Sequence, residues 1–392
     1  GTTSDEDGNF TVSGLPVGRY DLQATFIGYE PVEYKEVIVS SSKEAIIKIA
    51  MKESIISLEE VVIKAKVNKQ EPLNAIATAS ARMLSTDEAS RYAGGFDDPA
   101  RLVTSFAGVA GNISSNGITI RGNSPQFLQW RLEGAEIPNP THFSDVTAVG
   151  GGILTALSSQ VLGNSDFFTG AFPAEYTNAL SGVFDMQLRE GNRWDYEHTI
   201  QVGTMGIDLS SEGPLKKGGQ ASYLFNYRYS TMALANDLFP GLLSVAGGLR
   251  YQDLSFKINL PTKKAGTFSV WGVGIIDKMT EHEKTDTTER ETAVDNIRTS
   301  LKQKMGAGGI GHKYFINDNM YVKSVLAGTF TNNYLNADFY YNGTSFSRIM
   351  EMEGTNANIL LSSYLNTKFR AKHTNRTGVK INGLYYNLNY NM

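Results

Sequence analysis

From Trp194 to the last residue, apolar and polar side chains alternate in runs of roughly ten, the period at which a strand's side chains face opposite sides of a sheet. In the clearest run Ala221, Tyr223, Phe225, Tyr227 and Tyr229 fall on one side and Ser222, Asn226 and Arg228 on the other, with Leu224 the exception. Leu254, Phe256, Ile258 and Leu260 alternate with Ser255, Lys257 and Asn259, and Leu361, Leu365 and Phe369 stand opposite Asn366, Lys368 and Arg370. Such strands suit a soluble sandwich or a membrane wall equally, so the period alone does not choose. Connection lengths do. Short turns at 215–220, 261–266, 315–319 and 373–378 alternate with long polar segments at 230–248, 278–303 and 332–356, the asymmetry of a membrane barrel. An internal domain entering from the short-turn side requires two more strands within 195–214, joined by a tight turn at 204–206, and so nine in all. An odd count leaves an open edge, and a barrel that holds an internal domain needs about 22 strands, so this one is expected to be partial.

Earlier in the chain the pattern changes. Residues 1–54 read as a small β unit: a turn at 5–8 precedes Phe10 and Val12, and a turn at 15–18 precedes the alternating Tyr20, Leu22, Ala24 and Phe26. Val37–Val39 and Ala45–Ala50 continue as strands around a Ser-rich break. Residues 55–66, IISLEEVVIKAK, form an extended β-prone peptide with no local partner, the kind that adds as a strand to another sheet's edge. A last strand of the preceding unit is the competing reading. Residues 67–193 mix signals: Asp98 before Pro99 predicts an N-cap for a short helix through Ser105, and Ile118–Ile120 begins a strand. The chain opens at Gly1 inside a predicted turn, and its start is expected to be incomplete.

Composition sharpens this picture. Thirty-nine Gly, 19 Tyr and 19 Phe favour strands and tight turns. A net charge of −4 implies no basic face for nucleic acid, and the absence of Cys excludes disulfides and thiolate metal sites. No stretch reaches the ~18 apolar residues of a membrane helix, so any membrane role must use strands.

Particular motifs carry a family resemblance. The run GITIRGNSPQFLQWRLEGAEIPNPTHF, from Gly117 to Phe143, and FPAEYTNALSGVFDMQLREGN, from Phe172 to Asn192, resemble the plug of TonB-dependent outer-membrane receptors. Its recognisable parts are Arg121 with Gly122, Glu133 with Gly134, and Gly182. Residues 5–31 resemble the end of a carboxypeptidase-regulatory-like domain of transthyretin-like sandwich fold, as found ahead of plugs in receptors of the Bacteroidetes type. Leu58, Glu59, Glu60, Val61, Val62 and Ile63 are similar to the TonB box. The resemblance implies a mainly β chain: a partial sandwich at 1–54, a coupling peptide at 55–66, an α+β plug at 67–193 and the first part of an antiparallel transmembrane barrel at 194–392. It implies energised import of a scarce ligand across the outer membrane, TonB with its inner-membrane complex as partner, and outer-membrane lipid around the barrel. The plug and the first domain would be reached from the periplasm. A metal chelate, an oligosaccharide, a peptide and a vitamin all remain open as ligand. The stretch from Gly182 to Arg189 departs from the starch-utilisation type, which puts a lipoprotein lid in doubt.

Candidate ligand contacts are Asn139, His142 and Phe143, after a Pro-rich turn at the expected plug apex. Arg121 and Arg131 are expected to pair with carboxylates such as Glu133 or Glu175, because buried charges need partners. Enzyme chemistry finds no support. The GxGxxG match at Gly306–Gly311 is not followed by a helix, the five His have no metal-ligand spacing, and no cofactor is implied. Asp5, Asp7 and Asn9 read as a turn, not a calcium loop. The acidic loop at 281–291 reads as solvated, with a cationic ligand the alternative. From another class, a secreted protein of stacked β-sandwiches for adhesion or carbohydrate binding explains the alternation but neither the Ile-Arg-Gly segment nor the loop asymmetry. A secreted peptidase lacks its metal spacing.

Overall fold

The computed structural model describes residues 1–392 apart from 6–7, 28, 30, 40–43, 52–71, 75, 78, 85–97, 113–114, 146–149, 204–205, 232–248, 285–291, 342–344 and 371–372. The chain divides into two units, residues 1–69 with 368–374 and residues 70–367 with 375–392. The coupling-peptide residues Leu58–Ile63 lie outside the described residues.

In the first unit β1 (Gly18–Ala24) pairs antiparallel with β2 (Val32–Val39). Their alternation half-buries Tyr20, Leu22 and Ala24 as expected. Phe10, Val12 and Ala45–Ala50, expected as strands, carry no regular structure. A strand persists only where a neighbour takes up its N–H and C=O groups, and Tyr34 instead holds the later run through one side-chain bond to Lys48 O at 2.9 Å.

The second unit begins with an α+β domain. Its five-stranded sheet runs in the order β3 (Ala81–Leu84), β8 (Ser165–Phe168), β9 (Gly182–Met186), β6 (Leu128–Leu132), β7 (Ala135–Ile137), with β6 and β9 parallel. A separate hairpin joins β4 (Val109–Asn112) to β5 (Ser115–Ile120). The predicted helix is one turn, Pro99–Leu102, followed by a 3-10 turn to Ser105. Asp98 caps it by accepting from Ala100 N at 2.9 Å, and it also receives Thr155 Oγ1 at 2.7 Å and Asn116 Nδ2 at 3.0 Å. Every residue of β6 is buried, and Trp130 stacks on Phe184, which meets Phe167 edge-on.

The two plug-like motifs are turns. Arg121 and Gly122 both have positive φ, 50° and 83°, and Asn123 N closes on Ile120 O at 2.9 Å. Glu133 and Gly134, at 55° and 91°, join β6 to β7 in the same two-residue manner. Both pairs match a type I′ turn, which needs left-handed backbone twice and therefore favours Gly second.

Nine antiparallel strands follow in sequence order: β10 (Glu197–Val202), β11 (Ile207–Pro214), β12 (Ser222–Tyr229), β13 (Arg250–Pro261), β14 (Thr267–Glu281), β15 (Ile297–Asn317), β16 (Met320–Tyr340), β17 (Phe346–Arg370) and β18 (His373–Asn391). The expected pair within 195–214 is present. Leu224, the exception to its strand's alternation, is buried on the face that meets the α+β domain, where Trp271, Val273, Ile275, Met305 and Ala307 complete one continuous core with it.

Two expectations need correction. The segments 278–303 and 332–356 are largely strand, leaving 282–296 and 341–345 between strands, because polar side chains pair across strands once both faces meet water. Residues 373–378, expected as a turn, belong to β18.

Candidate functional site

The contact between the α+β domain and the inner face of the nine-stranded sheet concentrates the unit's buried charge. Period-two alternation aims every second residue of β12 to β15 at that domain, so a charge there must find a partner across the contact. Lys257 Nζ reaches Glu133 Oε1 at 2.8 Å and Leu188 O at 2.9 Å. Arg189 grips Glu212 with both terminal nitrogens, at 2.7 and 3.1 Å. Glu212 also accepts from Asn192 N at 3.0 Å. On β18, Arg376 pairs with Glu175, and Lys380 meets Glu136 at 3.0 Å.

At the far end of the domain His142 is wholly enclosed. Its Nδ1 lies 2.6 Å from Asp277 Oδ1 and its Nε2 2.8 Å from Asp253 Oδ2, while Phe143 N donates to Asp277 Oδ2 at 2.7 Å. Arg228 Nε reaches the same Asp253 oxygen at 2.8 Å, and its Nη2 donates to Thr155 O at 2.7 Å. Two carboxylates face one imidazolium and one guanidinium, so the cluster is neutral when His142 is protonated. Burial alone would push the imidazole pKa down, but attraction and hydrogen bonding to Asp277 and Asp253 outweigh it, and the net is upward. The ring of Tyr251 packs against the imidazole at 4.6 Å between centroids.

The candidate ligand contacts are therefore placed against the wall. His142 and Phe143 are 0% and 1% exposed and filled by protein partners, whereas half-buried Asn139 donates to Gly150 O at 3.1 Å. As arranged, His142 and Phe143 present no surface to a ligand. Neither Arg121 nor Arg131 pairs with Glu133 or Glu175, although Arg131 does meet a carboxylate within the domain, Asp185. Glu133 takes Lys257 and Glu175 takes Arg376, because those cations come from strands facing the carboxylates. Arg131 instead donates to Gly134 O at 2.8 Å, lies 3.9 Å from Asp185 and covers the Tyr176 ring. Arg121 is exposed beside Gly170. Gly182 has no room for more: a Cβ there would run into Ile120 Cδ1 and the Phe168 carbonyl.

A second cluster, not anticipated, lies where the described chain resumes after 52–71. The carboxylate of Asp166, on β8, accepts from Leu73 N at 2.7 Å and Asn74 N at 2.8 Å. Asn74 Nδ2 then donates to Glu175 Oε1 at 2.7 Å, and Tyr176 donates to Asp185 Oδ2 at 2.7 Å. Burial pushes the Asp166 pKa up to about 7, helped by Asp185 and Glu175, although the two backbone donors pull it down. Burial likewise raises the Tyr176 phenol. For Glu212, Arg228, Asp253 and Lys257 the sequence signal was a charged residue on the polar phase of a strand. Among the described residues no cluster of His and carboxylates is arranged to hold a metal, and no helix is long and apolar enough to cross a membrane.

Residues 1–63 match the CarboxypepD_reg-like domain, a span that includes Leu58–Ile63. No curated protein sequence matches the chain. Among solved structures, the pyoverdine outer membrane receptor FpvA from Pseudomonas aeruginosa PAO1, bound to pyoverdine, aligns with a TM-score of 0.57 at 10% identity over 82% of this chain and 48% of that one. A ferric enterobactin receptor variant from Pseudomonas aeruginosa, in complex with enterobactin, aligns at 0.42 with 13% identity over 80% and 56%, and the siderophore receptor PirA from Acinetobacter baumannii at 0.41 with 12% over 78% and 57%. The chain thus spans about half the length of the solved receptors it matches. The first of these likenesses shows that the fold is similar to that of the pyoverdine outer membrane receptor. The matched structures are receptors, not enzymes.

Proposed function

From a CarboxypepD_reg-like domain joined to an outer-membrane receptor fold, we propose that this chain is part of a TonB-dependent receptor that imports a scarce ligand across the outer membrane. One observation carries the reading: an α+β domain is packed and ion-paired against the inner face of an antiparallel sheet whose other face carries a broad apolar band. That is the arrangement of a gate seated against a membrane wall. The outward face of β13 to β17 presents Leu254, Phe256, Ile258, Ile310, Leu326 and Ile359, which lipid would solvate.

The coupling step would begin at Leu58–Ile63, added as a strand to TonB. Among the described residues, force on that peptide would first meet the domain where Asp166 holds the amides of Leu73 and Asn74. It would then act on β3, the edge strand, which among the described residues pairs with β8 from Ala81 to Leu84. Peeling an edge strand breaks its bonds in succession instead of together, so this end of the sheet is the mechanically weak one. A siderophore is the ligand class this reading favours, because the receptor whose fold is matched was solved with pyoverdine bound.

Fractionation tests the membrane reading: the complete protein should sediment with the outer membrane and require detergent, and a freely soluble pool would sink the proposal. Deleting Leu58–Ile63 tests the coupling. Uptake should vanish while ligand binding persists. Loss of folding or of binding as well would assign those residues to the last strand of the first domain, a reading favoured by the extent of its family match.

A further inference from the structure

The outward face of the sheet is not uniformly apolar. Registers across β13 to β17 place Arg250, Lys278, Lys302, Tyr334 and Glu353 in one cross-strand row. The next row reads Gln252, Ile276, Lys304, Asn332 and Thr355. All these residues are out of phase with Asp253, Asp277 and Gln303, which face the α+β domain, so the cations point away from it. Lys278, Lys302 and Lys304 are exposed.

Beyond these rows the face becomes apolar: Leu254, Gly274, Gly306, Phe330 and Ala357, then Phe256, Gly272, Gly308, Gly328 and Ile359, then Ile258, Val270, Ile310, Leu326 and Leu361. It ends in aromatic rings, with Phe268 stacked on His312 and His312 facing Tyr314. Ten residue steps separate Lys304 from Tyr314, roughly 33 Å along the strand and, at a tilt of about 40°, roughly 25 Å along a membrane normal. That equals the height of a barrel's lipid-facing band, so the lysines stand where acyl chains give way to headgroups.

Like charges directly opposite across a sheet repel at Cβ separations of about 5 Å. Lys278 has a cation opposite it on each side, Arg250 and Lys302. The outward carboxylates nearest the row are engaged on its far side, Glu351 with Tyr334 and Arg348 and Glu353 with Asn332. Lys302 is instead drawn over the Tyr334 ring, 5.4 Å from its centroid. The geometry points to a lipid site: Lys278, Lys302 and Lys304 bind the phosphate groups of a lipid headgroup whose acyl chains lie on the apolar rows beneath. This rests on the membrane-wall reading and adds to it the chemistry of the lipid.

The test uses the complete receptor, extracted from the outer membrane in a nonionic detergent, and the variant Lys278→Gln/Lys302→Gln/Lys304→Gln. Binding of dimyristoylphosphatidic acid, of dimyristoylphosphatidylcholine and of inorganic phosphate is read by native mass spectrometry and thermal shift. The unsubstituted protein should prefer phosphatidic acid, and the triple variant should lose about 100-fold in affinity, at roughly fivefold per lysine near an anionic headgroup. A Lys263→Gln/Lys264→Gln variant, neutralised in the exposed β13–β14 turn, should retain the preference. Equal binding of the two lipids, an unaffected triple variant, or an equal response to inorganic phosphate would each overturn the site. Outer-membrane recovery of the variants is scored separately, so failure of the membrane reading is distinguishable from failure of the lipid site.

Discussion

Replacing His142 by Ala should release the end of the α+β domain from the wall without unfolding the domain. The substitution leaves the side chains of Asp253 and Asp277, both 0% exposed, with one described cation, Arg228, whose ion pair is with Asp253. Asp277 keeps just the Phe143 amide at 2.7 Å. Stripping one partner from a buried ion pair costs about 3–5 kcal/mol, because the surviving charge stays dehydrated. The loop that carries His142 is closed by His142 N to Leu154 O at 2.8 Å, Ile153 N to His142 O at 2.9 Å and Ala156 N to Pro140 O at 2.8 Å. These amides are therefore the reporters. A loss of about 3 kcal/mol in local opening should speed their hydrogen exchange by about 10²-fold, while amides of β6 keep their protection. Adding Asp277→Asn to the Ala variant should recover part of the loss by removing the uncompensated charge. The unsubstituted protein carries a pH signature as well. A His whose folded pKa is raised contributes stability that is complete below its ordinary value near 6.5 and is lost as pH rises through the raised one. Protection of the three amides, corrected for intrinsic exchange, should fall on the alkaline side only. Unchanged exchange in the Ala variant, or loosening on acidification, would refute the cluster's role as an anchor.

Asp166→Asn should flatten the pH dependence of melting: a carboxyl raised from 3.8 to about 7 destabilises the fold progressively between those values, and the amide cannot ionise. The Tm difference between pH 5 and pH 8 should shrink in the variant, and an unchanged slope would show that Asp166 does not titrate there. Arg189→Ala leaves Glu212, 1% exposed, without its cation and should cost about 3–5 kcal/mol in urea unfolding; Arg189→Lys should rescue only partly, since an ammonium cannot reproduce the two-pronged contact. Gly182→Ala drives a methyl into Ile120 and the Phe168 carbonyl, so a loss of about 1–3 kcal/mol is expected, and a Tm within a degree of the parent would contradict the packing.

Strand number and facing were legible because alternation is a local property. The polar phase of β13 correctly held Lys257, and the pair of strands hidden in 195–214 followed from the parity of the turns. Strand ends were not, because 278–303 and 332–356 are polar on both phases and only cross-strand pairing extends them. The Arg-Gly and Glu-Gly motifs were visible as words, but their common cause, two successive left-handed residues, appears only in the backbone. Partner choice was hidden as well. Glu133 lies two residues from Arg131 in sequence, yet the cation that meets it comes from residue 257, and the one that meets Glu175 comes from residue 376. His142 fell in the same gap: a polar residue after a Pro-rich turn looks exposed until two strands bring Asp253 and Asp277 to it.

The mixture of contacts at the wall has an energetic consequence for the proposed gate. An apolar patch from Trp271 to Leu360 supplies undirected adhesion, whereas the pairs of Lys257, Arg189, Arg376 and His142 fix where the domain sits. Buried ion pairs add little net stability over apolar residues of the same volume, yet each becomes costly when one partner is withdrawn alone. A domain held in this way resists piecemeal loosening. Once a pull has admitted water, however, both partners of each pair are hydrated together and the electrostatic cost largely disappears. Such a contact keeps its register at rest and would yield to a force applied at one end, which under the proposed function is the end where Asp166 accepts from Leu73 and Asn74.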